Sequence, residues 1–184
     1  QVSDVSAWDP TWSPDGKHIV YGSERGASFG LFRRSWDGSG TEERLTTSQR
    51  QQIAESITDD GTMLSFDENR DIWILPLDGE RKPRPFIQSP ADEGVGMFSP
   101  DGHWMAYRSD ESGKREIYVT SFPKQEGKWQ ISTGGGRWPI WSRNGKELLY
   151  LNDRTLMSVS VSYGQTISFS PQRKVCELPQ GVFD

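Results

Sequence analysis

Four short turns recur along the chain at a nearly constant interval, and that interval limits what the chain can fold into. Gly16, Gly61, Gly102 and Gly145 stand 45, 41 and 43 residues apart. Each follows Asp15, Asp60, Asp101 or Asn144, and three residues before each stands a hydroxyl: Ser13, Thr58, Ser99 or Ser142. Asp-Gly and Asn-Gly are strong hairpin signals because both residues tolerate positive φ. Large apolar groups lie four residues before each glycine: Trp12, Ile57, Phe98 and Trp141. Ile19, Leu64, Met105 and Leu148 lie three after it, and Tyr21, Phe66, Tyr107 and Tyr150 five after it. Their spacing of two predicts a strand with one dominant packed face. Val20, Ser65, Ala106 and Leu149 lie between them and suit a second face pressed by a neighbouring sheet.

A further strand follows in each unit at Leu31-Phe32, Ile72-Trp73, Ile117-Tyr118 and Leu156-Met157. A last strand is expected at Arg44-Leu45-Thr46, Pro85-Phe86-Ile87, Gln130-Ile131-Ser132 and Val175-Cys176-Glu177. No segment sustains a 3.6-residue period, which excludes a helical repeat. Four short antiparallel strands (a to d) at this period match a blade, so the predicted class is an all-β, β-propeller fold with four blades visible. The blades run approximately over residues 4–49, 50–90, 91–133 and 134–178, within one propeller segment spanning 1–184. A composition of 33 % hydrophobic residues with eight Trp fits many short strands around a few large rings.

Gln1-Val2-Ser3 aligns without gaps on Gln130-Ile131-Ser132, and residues 179–184 follow a finished fourth blade. Residues 1–3 and 179–184 are therefore expected to be parts of flanking blades. Open sheet edges are a liability. Three solutions exist: closure at four blades, pairing with a second copy as a homo-oligomer, or a larger ring, and the last is preferred.

Ser13-Pro14-Asp15-Gly16-Lys17 followed by Ile19-Val20-Tyr21, and Ser99-Pro100-Asp101-Gly102-His103 followed by Met105-Ala106-Tyr107, resemble the WD-like β-propeller repeat of the TolB type. Ile117-Tyr118-Val119 and Trp129 to Gly136 look like its third and fourth strands. Repeat two departs with Asp59 for Pro and Ile57 for the ring, and repeat four has Arg143-Asn144 for Pro-Asp. The segment from Trp129 onward is similar to sensor regions attached to bacterial Ser/Thr kinases and regulators. The resemblance implies a bacterial, non-enzymatic binding or scaffold module for protein–protein or ligand interaction, periplasmic or extracellular. The alternative it implies is an accessory propeller of an enzyme, such as a prolyl-oligopeptidase-type peptidase or a pectin-fragment lyase.

The residues themselves supply no catalytic set, cofactor motif or metal site. Gly26-Ala27-Ser28-Phe29-Gly30 fits Gly-x-Ser-x-Gly, but it lies in a strand-to-strand loop without the following helix a nucleophile elbow needs. The turn aspartates are expected to shape their own hairpins and, one per blade, not to converge. Asp67/Glu68 with Asp71, and Asp92/Glu93, lack the ligand order and central glycine of a calcium loop and suit solvated loops. Cys176 is expected to be a buried or half-buried thiol. A net charge of −5 with interspersed signs disfavours nucleic acid as a partner, and no apolar run reaches a membrane span.

The loops between strands b and c are more informative. Each carries an Arg and an acid: Glu24-Arg25, Glu68-Asn69-Arg70, Asp110 to Arg115, and Asn152-Asp153-Arg154. In a propeller they share one face with the d–a connections, which add Asp4, Trp8, Glu55, Glu93, Arg137 and Trp138. Arg and Trp are enriched at interface hot spots. Trp8, Arg25, Arg70, Arg115, Arg137, Trp138 and Arg154 are thus the candidate residues for a protein or small-molecule partner. The competing reading pairs Arg with acid inside each loop, merely holding it.

Overall fold

The computed structural model describes residues 6–164 and 166–179, which contain strands and turns but no helix. The expectations for residues 1–3, Asp4 and 180–184 lie outside the described residues. The chain forms two compact units, Gln1–Ser89 and Pro90–Asp184. In the first, β1 (Ala7–Trp12), β2 (His18–Arg25), β3 (Ser28–Ser35) and β4 (Glu43–Arg44) make one antiparallel sheet in chain order. The second sheet of that unit is β5 (Gln52–Ile57), β6 (Met63–Glu68), β7 (Asp71–Pro76) and β8 (Arg84–Ile87). The other unit repeats the plan with β9 (Gly94–Phe98), β10 (Trp104–Ser109), β11 (Glu116–Ser121) and β12 (Lys128–Gln130). Its last sheet has five strands: β13 (Arg137–Trp141), β14 (Glu147–Asn152), β15 (Thr155–Tyr163), β16 (Ile167–Phe169) and β17 (Arg173–Glu177).

The fifth strand departs from the expected four. The first half of β15 pairs with β17, and its extension, Val161–Tyr163, pairs with β16. The burial of Val161 and Ile167 explains the extension, because both join the core between this sheet and its neighbour.

The turn between strands a and b is built the same way four times. In the third copy, Gly102 N donates to Ser99 O at 2.9 Å, Trp104 N donates to Ser99 Oγ at 3.0 Å, and His103 N donates to Asp101 Oδ1 at 3.1 Å. The copies at Ser13, Thr58 and Ser142 repeat these bonds. Only the glycine takes positive φ, from 66° to 75°, so Asp or Asn is selected as an acceptor rather than for left-handed backbone.

Strand b is buried on both faces, not on one. Leu64, Ser65 and Phe66 are all fully covered, as are Met105 and Ala106. Within each unit the same positions of adjacent blades meet. Val20, Leu31 and Leu45 pack with Phe66, Leu75 and Trp73 in the first unit. Ala106, Ile117 and Ile131 pack with Tyr150, Met157 and Val159 in the second.

The outer strands β4 and β12 stop before the residues expected to complete them. Leu45 N and Thr46 N both reach Leu31 O, at 2.8 and 3.4 Å, while Leu31 N donates to Thr46 Oγ1 at 2.8 Å. Ile131, Ser132 and Ile117 repeat the arrangement, with Ile117 N donating to Ser132 Oγ at 2.8 Å. A side-chain hydroxyl thus replaces a ladder carbonyl and releases the chain toward the next blade. Cys176 is a correction: it is exposed, because every residue of β17 is exposed and the strand is held by backbone pairing and surface side-chain contacts rather than by apolar burial.

Ser99 is 1 % exposed, so Ser99→Ala removes the acceptor of a buried N–H. A loss of about 1–3 kcal/mol is expected in denaturant unfolding; an unchanged midpoint would show that the turn hydroxyl is dispensable. Burial pushes the Tyr150 phenol up to about 12, and burial aided by the Glu42 hydrogen bond does the same for Tyr21. Their folded values lie above the ordinary value near 10, so the contribution is complete below about pH 10 and fades as pH rises through about 12. Phenolate absorbance and near-ultraviolet dichroism should therefore change together in alkali. Ionisation of both rings near pH 10 with the fold intact would contradict their burial.

Candidate functional site

Beneath the b–c loops lies a layer of buried polar side chains that shapes the d–a connections. Glu116, the first residue of β11, is 3 % exposed. Its Oε1 accepts from Gly134 N at 2.8 Å and Gly135 N at 2.9 Å, and its Oε2 accepts from the Ser132 hydroxyl. In the first unit, Thr46 Oγ1 donates to Gln52 Oε1, and Gln88 Nε2 donates to the buried Asp71 at 3.1 Å. Sequence reasoning missed Glu116. The available signal was an acid directly before the apolar run Ile117-Tyr118-Val119, with three consecutive glycines beginning eighteen residues after it.

Two of those glycines, Gly135 and Gly136, form the floor of a cleft of about 290 Å³ in the second unit. Lys114 and Arg115 line it from the loop before β11, Gly135, Gly136 and Arg137 from the d–a connection, and Asn152 and Asp153 from the β14–β15 turn. A Cβ on Gly136 would lie 2.5 Å from Ser132 Oγ and 2.8 Å from Ile117 Cγ1, so only glycine lets the backbone sit this low. Arg137 and Trp138 open β13 where its register against β14 shifts. Trp138 takes φ 51° there, an unfavourable conformation for a bulky residue, at a cost of about 1–3 kcal/mol. Its ring is left 44 % exposed, with the Arg137 guanidinium 5.5 Å from the ring centroid.

The acid–base pairs run between loops rather than within them. Arg115 reaches Asp92 at 3.4 Å, and Arg137 reaches Asp153 at 3.9 Å. Asp92 also holds Arg108 at 3.1 Å. The expectation of solvated acidic loops is thereby corrected: Asp92 is ion-paired, Glu93 is 2 % exposed, Asp67 and Glu68 belong to β6, and Asp71 is buried in β7.

Arg115 and Arg137 therefore line one cleft, Trp138 adjoins Arg137, and the other candidates are placed differently. Arg154 donates to Leu178 O at 2.8 Å and anchors the end of β17. Arg25 folds back over the Phe32 ring at 4.7 Å and contacts both Glu42 carboxylate oxygens at 3.2 Å. Trp8 lies inside β1, with its indole N–H on Gln52 O at 2.9 Å and its ring against Gly22, where a Cβ would collide. Arg70 is exposed in a tight turn, with Asn69 at φ 56° and itself at φ 70°.

At the turn ends, Asp15, Asp59 and Asp60 line a common cleft of about 260 Å³ in the first unit, so turns of adjacent blades do meet. The Ser13 hydroxyl and Lys17 N–H hold the Asp15 carboxyl below its usual range, and Thr58 and Thr62 do the same for Asp60, so both are committed to their own turns. Among the described residues no three His, Cys, Asp or Glu groups converge as metal ligands, and no helix is long and apolar enough to cross a membrane. Ser28 opens β3 with its hydroxyl accepting from Arg44 at 2.9 Å, which is not elbow geometry.

No family model matches the chain. The uncharacterized protein Atu1656 of Agrobacterium fabrum is 26 % identical over 158 residues, covering 76 % of this chain and 53 % of that protein. The Tol-Pal system protein TolB of Francisella tularensis is 25 % identical over 158 residues, covering 81 % of this chain and 36 % of that protein. The chain thus spans about half the length of the first relative and about a third of the second. The TolB structure from Acinetobacter baumannii superposes with a TM-score of 0.72 at 19 % identity, over 90 % of this chain and 43 % of that one. The four sheets share the β-propeller fold of that TolB structure. The fold is shared with an oligogalacturonate lyase in complex with manganese (TM-score 0.66, 14 % identity, 87 % of this chain and 52 % of that one). It is also shared with a Mycobacterium tuberculosis puromycin-hydrolyzing peptidase (TM-score 0.68, 14 % identity, 94 % of this chain and 31 % of that one).

In these propeller blades the cleft wall at Gly135 and Gly136 depends on Glu116. Glu116→Ala strands the buried Ser132 hydroxyl and two partly covered glycine amides and should cost about 1–3 kcal/mol. Hydrogen exchange should quicken at Gly134 and Gly135 before global unfolding. Unaltered protection at both amides would sink the clasp.

Proposed function

We propose that this TolB-type segment is a non-enzymatic binding or scaffold module, engaging a protein or small ligand through the cleft of its second unit. The observation that carries this reading is a cleft lined by Arg115 and Arg137 over glycine backbone, with the exposed Trp138 against Arg137 at its edge. Positive φ also occurs at Asp9 and Val95 in the equivalent strands, so it belongs to the blade; what distinguishes Trp138 is a large exposed ring with a guanidinium against it. Arg and Trp are also the side chains that dominate binding energy at interfaces. The TolB likeness supports a protein partner and a periplasmic or extracellular setting.

A second reading makes the segment an accessory propeller of an enzyme, favoured by the lyase and peptidase among its fold neighbours. The two readings separate by experiment. Partners captured by the wild-type chain should be lost from Arg137→Ala and Trp138→Ala, and the same chain should turn over neither oligogalacturonate nor peptide substrates. Capture unchanged in both variants would remove these residues from the binding face, and turnover by the isolated chain would overturn the non-enzymatic reading.

A further inference from the structure

Resting on the reading of that cleft as the binding face, we propose that it recognises a carboxylate group. Three cations line it, Lys114, Arg115 and Arg137, against one acid, Asp153. Asp153 compensates weakly: its side chain is 95 % exposed and 3.9 Å from Arg137. The carboxylate of Asp92, beside the cleft, is shared by two guanidiniums, 3.1 Å from Arg108 and 3.4 Å from Arg115, so it neutralises only one of them. Arg108 and Asp92 are each 18 % exposed, whereas Arg115 is 53 % exposed, which makes Arg115 the under-compensated member.

The type of anion follows from the donors that remain. Phosphate is commonly held in a nest of backbone N–H groups, but here those groups are committed. Gly134 N and Gly135 N are taken by Glu116, and Gly136 N donates to Arg115 O at 2.8 Å. With the glycine amides taken, binding falls chiefly to the planar guanidinium forks, which match either anion two bonds at a time, so the missing amide nest rather than the forks disfavours phosphate. Arg137 lies over the Trp138 ring, an arrangement that leaves the in-plane N–H groups available while fixing the plane. Asp153 at the rim opposes a dianion more than a monoanion. Asn152, whose Oδ1 would lie 3.0 Å from a Cβ on Gly135, keeps the far wall polar but uncharged.

The carboxylate can come from an acidic side chain of a peptide or from a uronic acid, and the chemistry at the cleft is the same. The test is an amide and Arg side-chain NMR titration of the intact chain with three probes: a capped Glu-containing peptide, digalacturonate and inorganic phosphate. Shifts centred on Arg115 and on Gly135 to Trp138 are expected with a carboxylate probe. They should weaken roughly tenfold in Arg137→Ala and fade as salt rises. Saturation by the peptide alone assigns a peptide source, and saturation by digalacturonate alone assigns a sugar source; either supports the proposal. Phosphate binding as tightly as both carboxylates, or no localised shift with any probe, overturns it. If none of the anions binds while Arg137→Ala and Trp138→Ala still lose their captured partner, the binding face stands and its carboxylate chemistry fails.

Discussion

Everything in this fold depends on stacking one small sheet on the next. A sheet of four short strands buries too little apolar surface to hold itself together, and here strands b and c are apolar on both faces. Val20, Leu31 and Leu45 of one blade therefore meet Phe66, Leu75 and Trp73 of the next, and the second unit repeats the contact with Ala106, Ile117 and Ile131 against Tyr150, Met157 and Val159. Each fully covered Leu or Ile contributes about 1.5–3 kcal/mol, so a few such positions decide whether a blade is ordered at all. The requirement falls on the sheet centres and spares their two ends. One end closes on a tight turn, and the other carries the loops.

This division explains what could be read from the sequence. The turn end was legible because its chemistry is local: a hydroxyl, an Asx and a glycine within four residues make all of its bonds. The sheet centres were legible because strand spacing of two is written directly in Ile19/Tyr21 and its equivalents. Legibility failed where partners are distant. Glu116 finds its bonds fifteen or more residues away, at Ser132, Gly134 and Gly135. Thr46 and Ser132 looked like continuing strand because nothing nearby reveals that their hydroxyls would replace a carbonyl. Cys176 read as inward-facing because a strand was assumed to have a covered face, and β17 has none.

The candidate site was half visible for the same reason. Arg and acid within each b–c loop suggested pairs inside the loop. The tight turns hold their backbone so short that Arg115 and Arg137 reach across to the neighbouring segment instead, meeting Asp92 and Asp153. Trp8 and Trp138 belonged to one class in the sequence, at the entry to strand a. They stand one position apart in the same bulge: Trp8 aligns on Arg137 and turns inward to a carbonyl, whereas Trp138 aligns on Asp9, the positive-φ position, and is exposed. A one-residue register shift is invisible in composition, yet it decides which ring is structural and which is displayed.

The cleft also separates shape from charge. Its floor is glycine backbone fixed by a buried carboxylate and by close approach to Ser132 and Ile117, none of which a solvent-borne ligand can reach. Its charge comes from Lys114, Arg115 and Arg137, which stand on the rim and carry no core contact. Changing a rim cation should leave the floor intact, because the two share no buried partner. A blade built this way can keep one rigid frame while the rim alone sets what it recognises. The turn-end cleft of the first unit cannot be used so freely: its Asp15 and Asp60 carboxylates are the hydrogen-bond acceptors that close the turns, so altering their charge also alters the fold.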